Sequence, residues 1–92
     1  MKLSRDKCAV LKSITNNYFK NISKIHDIKI YNSEEFVDII LYPESSIILN
    51  SIDIEDFSMR LKENIVELKH SSDLIIVEFD VIHKYIKFSI SF

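Results

Sequence analysis

Three histidines and one cysteine are the side chains best suited to bond-making chemistry: His26, His70, His83 and Cys8. Zinc sites want paired Cys and His ligands at short fixed spacings, or two His one helical turn apart. None of the four residues stands at such a spacing, so no metal centre is expected. Cys8 beside a folded-in histidine would make a nucleophile and base, yet near a helix start it reads more simply as a small packing residue. His26-Asp27 pairs an imidazole with a carboxylate, and His83 is the other candidate base. Asp53, Glu55 and Asp56 form an acidic run that would need further oxygen ligands to hold a hard cation. Their position fits the start of a helix better.

The chain contains no glycine. The P-loop, the dinucleotide fingerprint and the nucleophile elbow all require a residue without a Cβ, so these phosphate and acyl-transfer devices are excluded. Cofactor binding of those kinds is not expected. Turns must be built from Asn, Asp, Ser and the single Pro43. Richness in Ile, Lys and Asn, with one Ala and two Arg, fits AT-rich codon usage, which would also thin glycine.

Ninety-two residues make one domain, 1–92, with an ordinary balance of 47% hydrophobic and 28% charged side chains. Neither Ile39 to Pro43 nor Leu74 to Val77, the longest uncharged apolar runs, is long enough to span a bilayer. No apolar stretch follows the N-terminal charges, and the lone cysteine has no intrachain partner. Both features point to a reducing cytoplasm.

Charge is unevenly distributed. Residues 1–32 carry a formal +5 and residues 33–80 carry −9, within a net charge of −2. Such blocks either fold against each other or create strong local fields. Lys7, Lys12, Lys20, Lys24 and Lys29 interleave with Tyr18 and Phe19 in a way that would suit a nucleic-acid backbone. The scarcity of arginine and the acidic balance make nucleic acid an unexpected partner.

The elements that would position these groups follow from periodicity. Ser4 caps a helix over 5–22 with Val10, Leu11, Ile14, Tyr18 and Ile22 on one stripe. Ile28 to Tyr31 alternates as a strand. Residues 35–42 fit either a strand, with Val37, Ile39 and Leu41 inward, or a helix capped by Ser33; the strand is preferred because β-branched residues dominate and Pro43 stops the segment. Ile47-Ile48-Leu49 reads as a short third strand. Asp53 caps a second helix, stapled by Ile52 and Phe57, with Ile54, Phe57, Leu61, Ile65 and Leu68 buried, help from Val66, and Lys69 and His70 at its end. The last segment reads as a hairpin. A two-residue turn at His83-Lys84 would pair Val81 with Ile86, Phe79 with Phe88 and Val77 with Ile90, and place Asp80 opposite Lys87. That turn lacks the usual Asn-Gly, so a longer loop with shifted register is the alternative.

The expected fold is α+β: a two-layer sandwich with a mostly antiparallel sheet of about five strands and two helices on one face, in the order α-β-β-β-α-β-β. This order is similar to that of type III secretion chaperones, which are small, acidic, dimeric α+β proteins. Their C-terminal helix has no counterpart here and no motif matches, so the likeness is one of layout.

The function expected from these features is a non-catalytic protein-binding inhibitor. It would resemble the immunity protein of a toxin or a phage-borne blocker of a host defence. Glu34, Glu35, Asp38, Glu44, Glu55, Asp56, Glu63 and Glu67 would face a basic site on the partner. A chaperone for an extended client is the second expectation, and a small enzyme or regulatory subunit using His26 or His83 the third. Phe88 to Phe92 is a charge-free β-prone segment with two readings: it is interior to the sheet, or it is an exposed edge where Phe88, Ile90 and Phe92 pair with a second copy or another protein.

Overall fold

A computed structural model describes residues 3–45, 47–68 and 75–91 of the chain. Helix α1 spans Arg5–Phe19, strand β1 Ile25–Asn32 and strand β2 Phe36–Pro43. Helix α2 spans Ser51–Asn64, followed by a 3-10 turn at Val66–Leu68, strand β3 (Ile75–Asp80) and strand β4 (Tyr85–Ser91). The strands form one antiparallel sheet in the order β1-β2-β4-β3. The α+β class holds, with four strands among the described residues in place of about five.

Ile47 to Leu49 is the strand that does not form. It is an irregular connection in which Ile47 and Leu49 pack against the core while Ile48 is exposed to solvent. Alternation alone signals extended backbone; a strand also needs a hydrogen-bonded neighbour, and the sheet offers this segment none.

Alternation along the sheet gives it two unlike faces. Ile28, Val37, Ile39, Leu41, Ile86, Phe88 and Ile90 are buried on the inner face. Both helices lie against that face. Phe19 of α1 and Phe57 of α2 meet Phe88 with ring centroids 5.5 and 5.1 Å away, and each other at 4.9 Å. Residues 35–42 therefore adopt the strand reading, with Val37, Ile39 and Leu41 inward as expected.

Helix α1 begins at Ser4, whose hydroxyl accepts from the Lys7 amide at 3.2 Å. Its buried stripe is Leu11, Thr15 and Phe19, rotated from the expected one, and Val10 and Ile22 are exposed. Thr15 was easy to overlook as a core residue because it is polar. Its hydroxyl donates to the Leu11 carbonyl at 2.8 Å, so no buried donor is orphaned. Ahead of the helix, the Asn32 amide brackets Leu3, accepting from its N–H and donating to its carbonyl.

Helix α2 is capped one turn earlier than expected. Asn50 accepts from the Asp53 amide at 2.9 Å, and the Asp53 carboxylate accepts from the Asn50 amide at 3.1 Å, a reciprocal capping box. Asp53 is thus the partner of the cap rather than the cap. The helix ends at Asn64, but Ile65 and Leu68 continue its buried stripe beyond it, while Val66 is exposed. Lys69 and His70 lie outside the described residues.

The closing hairpin takes the longer loop. Val77 pairs with Phe88, Phe79 with Ile86 and Glu78 with Lys87. The register is two residues from the one a His83-Lys84 turn would give, which keeps every side chain on its expected face. Residues 81–84 form the loop, closed by Lys84 in the left-handed region at φ 56°. Asp80 fixes it: one carboxylate oxygen accepts from the His83 amide at 2.7 Å, and the other lies 3.0 Å from His83 Nδ1. Asp80 is thereby committed to the loop, and Lys87 pairs with Glu78 at 3.1 Å.

Of the two readings of the C-terminal segment, the interior strand is the one observed and the exposed edge is not. β4 is bonded to β2 on one side and β3 on the other, so Phe88 and Ile90 belong to an interior strand and the sheet's open edges are β1 and β3. Absence of charge in this segment reflects burial. Phe92 lies outside the described residues.

Candidate functional site

Neither helix covers the outer face of the sheet. Alternation places Asp27, Lys29 and Tyr31 of β1 there, with Asp38, Ile40 and Tyr42 of β2, Tyr85, Lys87 and Ser89 of β4, and Glu78 and Asp80 of β3. Tyr31 is 54% exposed, and Phe36 stands exposed where β2 begins. Tyr42 and Tyr85 meet edge to face at 5.8 Å, and the Lys29 ammonium sits 5.4 Å from the centre of the Tyr42 ring.

Polar groups on this face are held in fixed pairs. The Ser89 hydroxyl donates to Asp38 at 2.6 Å. A hydrogen bond to Glu78 raises the Lys87 ammonium above its ordinary pKa, with the Glu78 and Asp38 charges adding to the effect. Desolvation, then the Asp80 carboxylate, pushes the Tyr85 hydroxyl up. Four carboxylates face two amines here, and both amines are engaged, so the surface is aromatic with an acidic excess.

The eight carboxylates expected to act together are dispersed. Asp38 lies on the outer face, and Glu34 and Glu35 occupy the β1–β2 turn at one margin. Glu44 follows β2 at the opposite end, 3.9 Å from Lys24. Glu55, Asp56 and Glu63 belong to α2 and Glu67 to the 3-10 turn, on the helical side of the sheet. Asp56 pairs with Arg60 at 3.6 Å, and Arg60 in turn covers the Tyr18 ring. That ring borders a hollow of about 390 Å³ between the helices. Tyr18 donates to the Asp53 carbonyl at 3.0 Å, and desolvation followed by Asp56 and Asp53 raises its pKa.

His26 and His83 come together, on a shallow hollow of about 460 Å³ with Tyr42, Pro43, Glu44 and Lys84. His83 is largely exposed, and its contact with Asp80 is part of the bracing of the loop. Cys8 is half-buried against the core, and the hollow beside it is lined by α1 and β1 residues without a histidine. Among the described residues, no three His, Cys, Asp or Glu side chains gather as metal ligands would, and no helix is long and apolar enough to cross a membrane.

Tyr31, Tyr42 and Tyr85 did not stand out as site residues in the sequence. The signal was present: once Ile28, Ile30, Val37, Ile39 and Leu41 are assigned inward, the residues between them must face out. No protein-family model, curated protein or solved structure matches the chain.

Proposed function

We propose that this protein is a non-catalytic inhibitor that binds another protein and covers a basic site on it, in the manner of a toxin immunity protein or a phage-borne blocker of a defence effector. The observation that carries the reading is the uncovered sheet face, where Tyr31, Tyr42 and Tyr85 stand among an excess of carboxylates. Tyrosine supplies large contact area at low conformational cost and is enriched where interfaces concentrate their energy. Asp38, with Glu34 and Glu35 at the margin, would meet the partner's lysines and arginines. The carboxylates of α2 point elsewhere and would act only through the long-range field.

The test starts with capture of the partner from cells that naturally carry the gene, using the wild-type protein and a Tyr31→Ala/Asp38→Asn variant as paired baits. The reading expects one partner held by the wild type and weakened in the variant. It also expects that partner's activity to be suppressed on binding, and an association rate that falls as salt rises. A partner that stays fully active when bound, or binds both baits equally, refutes it. The Asp80 contact favours His83 as the residue of a catalytic alternative, and turnover of a small molecule by the purified protein would replace the inhibitor reading.

A further inference from the structure

At the end of the molecule where β2 and β3 finish and β4 begins, apolar side chains stand in water. Val81 is 85% exposed and Ile82 86% exposed at the tip of the β3–β4 loop, and Ile48 is 92% exposed on the connection to α2. Loop tips are ordinarily built from polar and turn-forming residues. This loop is also braced, by the two Asp80 contacts with His83, so Val81 and Ile82 are presented on a fixed support. Beside Ile82 lies a hollow of about 470 Å³ whose apolar wall is Pro43, Ile47, Phe79, Val81 and Ile86. Its charged lining has both signs: Glu44 and Asp80 against Lys84.

We infer that this end is a self-association surface whose occupant is a second copy of the chain. In the dimer, Ile82 at the loop tip of each copy enters the hollow of the other across a two-fold axis. A two-fold interface requires that one patch carry both the projecting group and the recess that receives it. Tip and hollow meet that requirement here by lying side by side. The mixed charge suits the same occupant: Lys84 of each copy meets Glu44 of the other, whereas a uniformly basic or acidic partner would meet like charge. The braced loop reduces the ordering cost of binding.

Sedimentation equilibrium of the purified chain, from low to high micromolar, tests this. A reversible dimer is expected, with Ile82→Asp raising its dissociation constant at least about tenfold and Lys84→Glu weakening it as well. Both side chains are on the loop surface, and unchanged urea unfolding of the variants would show that the fold survives. Mixed isotope labelling should give intermolecular contacts from the Ile82 methyls to Phe79 and Ile47. A monomer throughout the range overturns the inference. So does a dimer whose affinity is untouched by Ile82→Asp, as pairing of two β3 edges would be.

Discussion

Replacing Phe88 with alanine removes the ring on which both helices rest. Phe88 is fully buried on an interior strand, in contact with Phe19 and Phe57. Truncating a buried phenylalanine costs about 3–5 kcal/mol, combining lost transfer energy with the cavity left behind. At 0.05–0.15 kcal/mol per residue, 92 residues give a total stability of about 5–14 kcal/mol. A loss near 4 kcal/mol is therefore a large share of what holds the fold. At roughly 4–8 °C per kcal/mol in a domain of this size, the melting temperature should fall by about 16–32 °C. Urea unfolding followed by circular dichroism reads the loss directly, with an unchanged slope if the denatured state is unaffected. Ile48→Ala is the control: its side chain is in solvent, and the change should stay within about 0.5 kcal/mol. A Phe88→Ala loss below about 1.5 kcal/mol, the range of a tolerated repacking, would refute the central place given to β4 and the three-ring contact.

Three further outcomes are expected. Asn50→Ala removes the cap of α2 and one half of its reciprocal bonds, and should cost about 1 kcal/mol in chemical denaturation; no loss would mean the helix starts elsewhere. The amide and imidazole of His83 hold the Asp80 carboxyl below its ordinary pKa. Because the folded value is the lower one, its stabilising effect is complete above the ordinary carboxylate value and disappears as pH falls through the depressed one. Carbon-13 titration of Asp80 should show the low midpoint, and the protection of the His83 amide relative to its intrinsic exchange rate should fall in acid; an ordinary midpoint would refute the bracing. Lys84→Gly relieves a left-handed backbone that costs a side chain about 1–2 kcal/mol, against an entropic cost of roughly 0.5–1 kcal/mol for glycine, so stability should rise by up to about 1.5 kcal/mol; a loss would contradict the loop geometry.

The sequence made some features of this fold plain and concealed others for physical reasons. Strand β2 was readable because three inward β-branched and aliphatic residues alternate before a proline. Ser4 was readable because a helix start has a chemical signature. The α1 stripe was misplaced because Thr15 looks polar until its hydroxyl is seen returning to the backbone. Asn50 lost to Asp53 as the cap because both residues suit a helix start and only tertiary structure selects the turn. Hairpin parity was legible from the switch between odd and even apolar positions, but a slip of two residues preserves that parity, so the loop length was not. Strand order was least accessible. A charge-free run such as Phe88 to Phe92 is equally consistent with an exposed edge and a buried centre, and only the neighbours decide. The outer tyrosines were deducible by subtraction, yet nothing local marks them as sharing a face that neither helix covers.

The position of β4 also governs how the protein is made. Its two neighbours, β2 and β3, are both synthesised before it, and they touch each other only through it. During translation each leaves the ribosome with one side awaiting a strand that does not yet exist, so vectorial synthesis cannot complete the sheet by adding strands outward from a finished centre. The finished sheet has β4 between them and joins residues as distant as Phe36 and Ser91. Until β4 has been made, β2 and β3 each present one unpaired ladder.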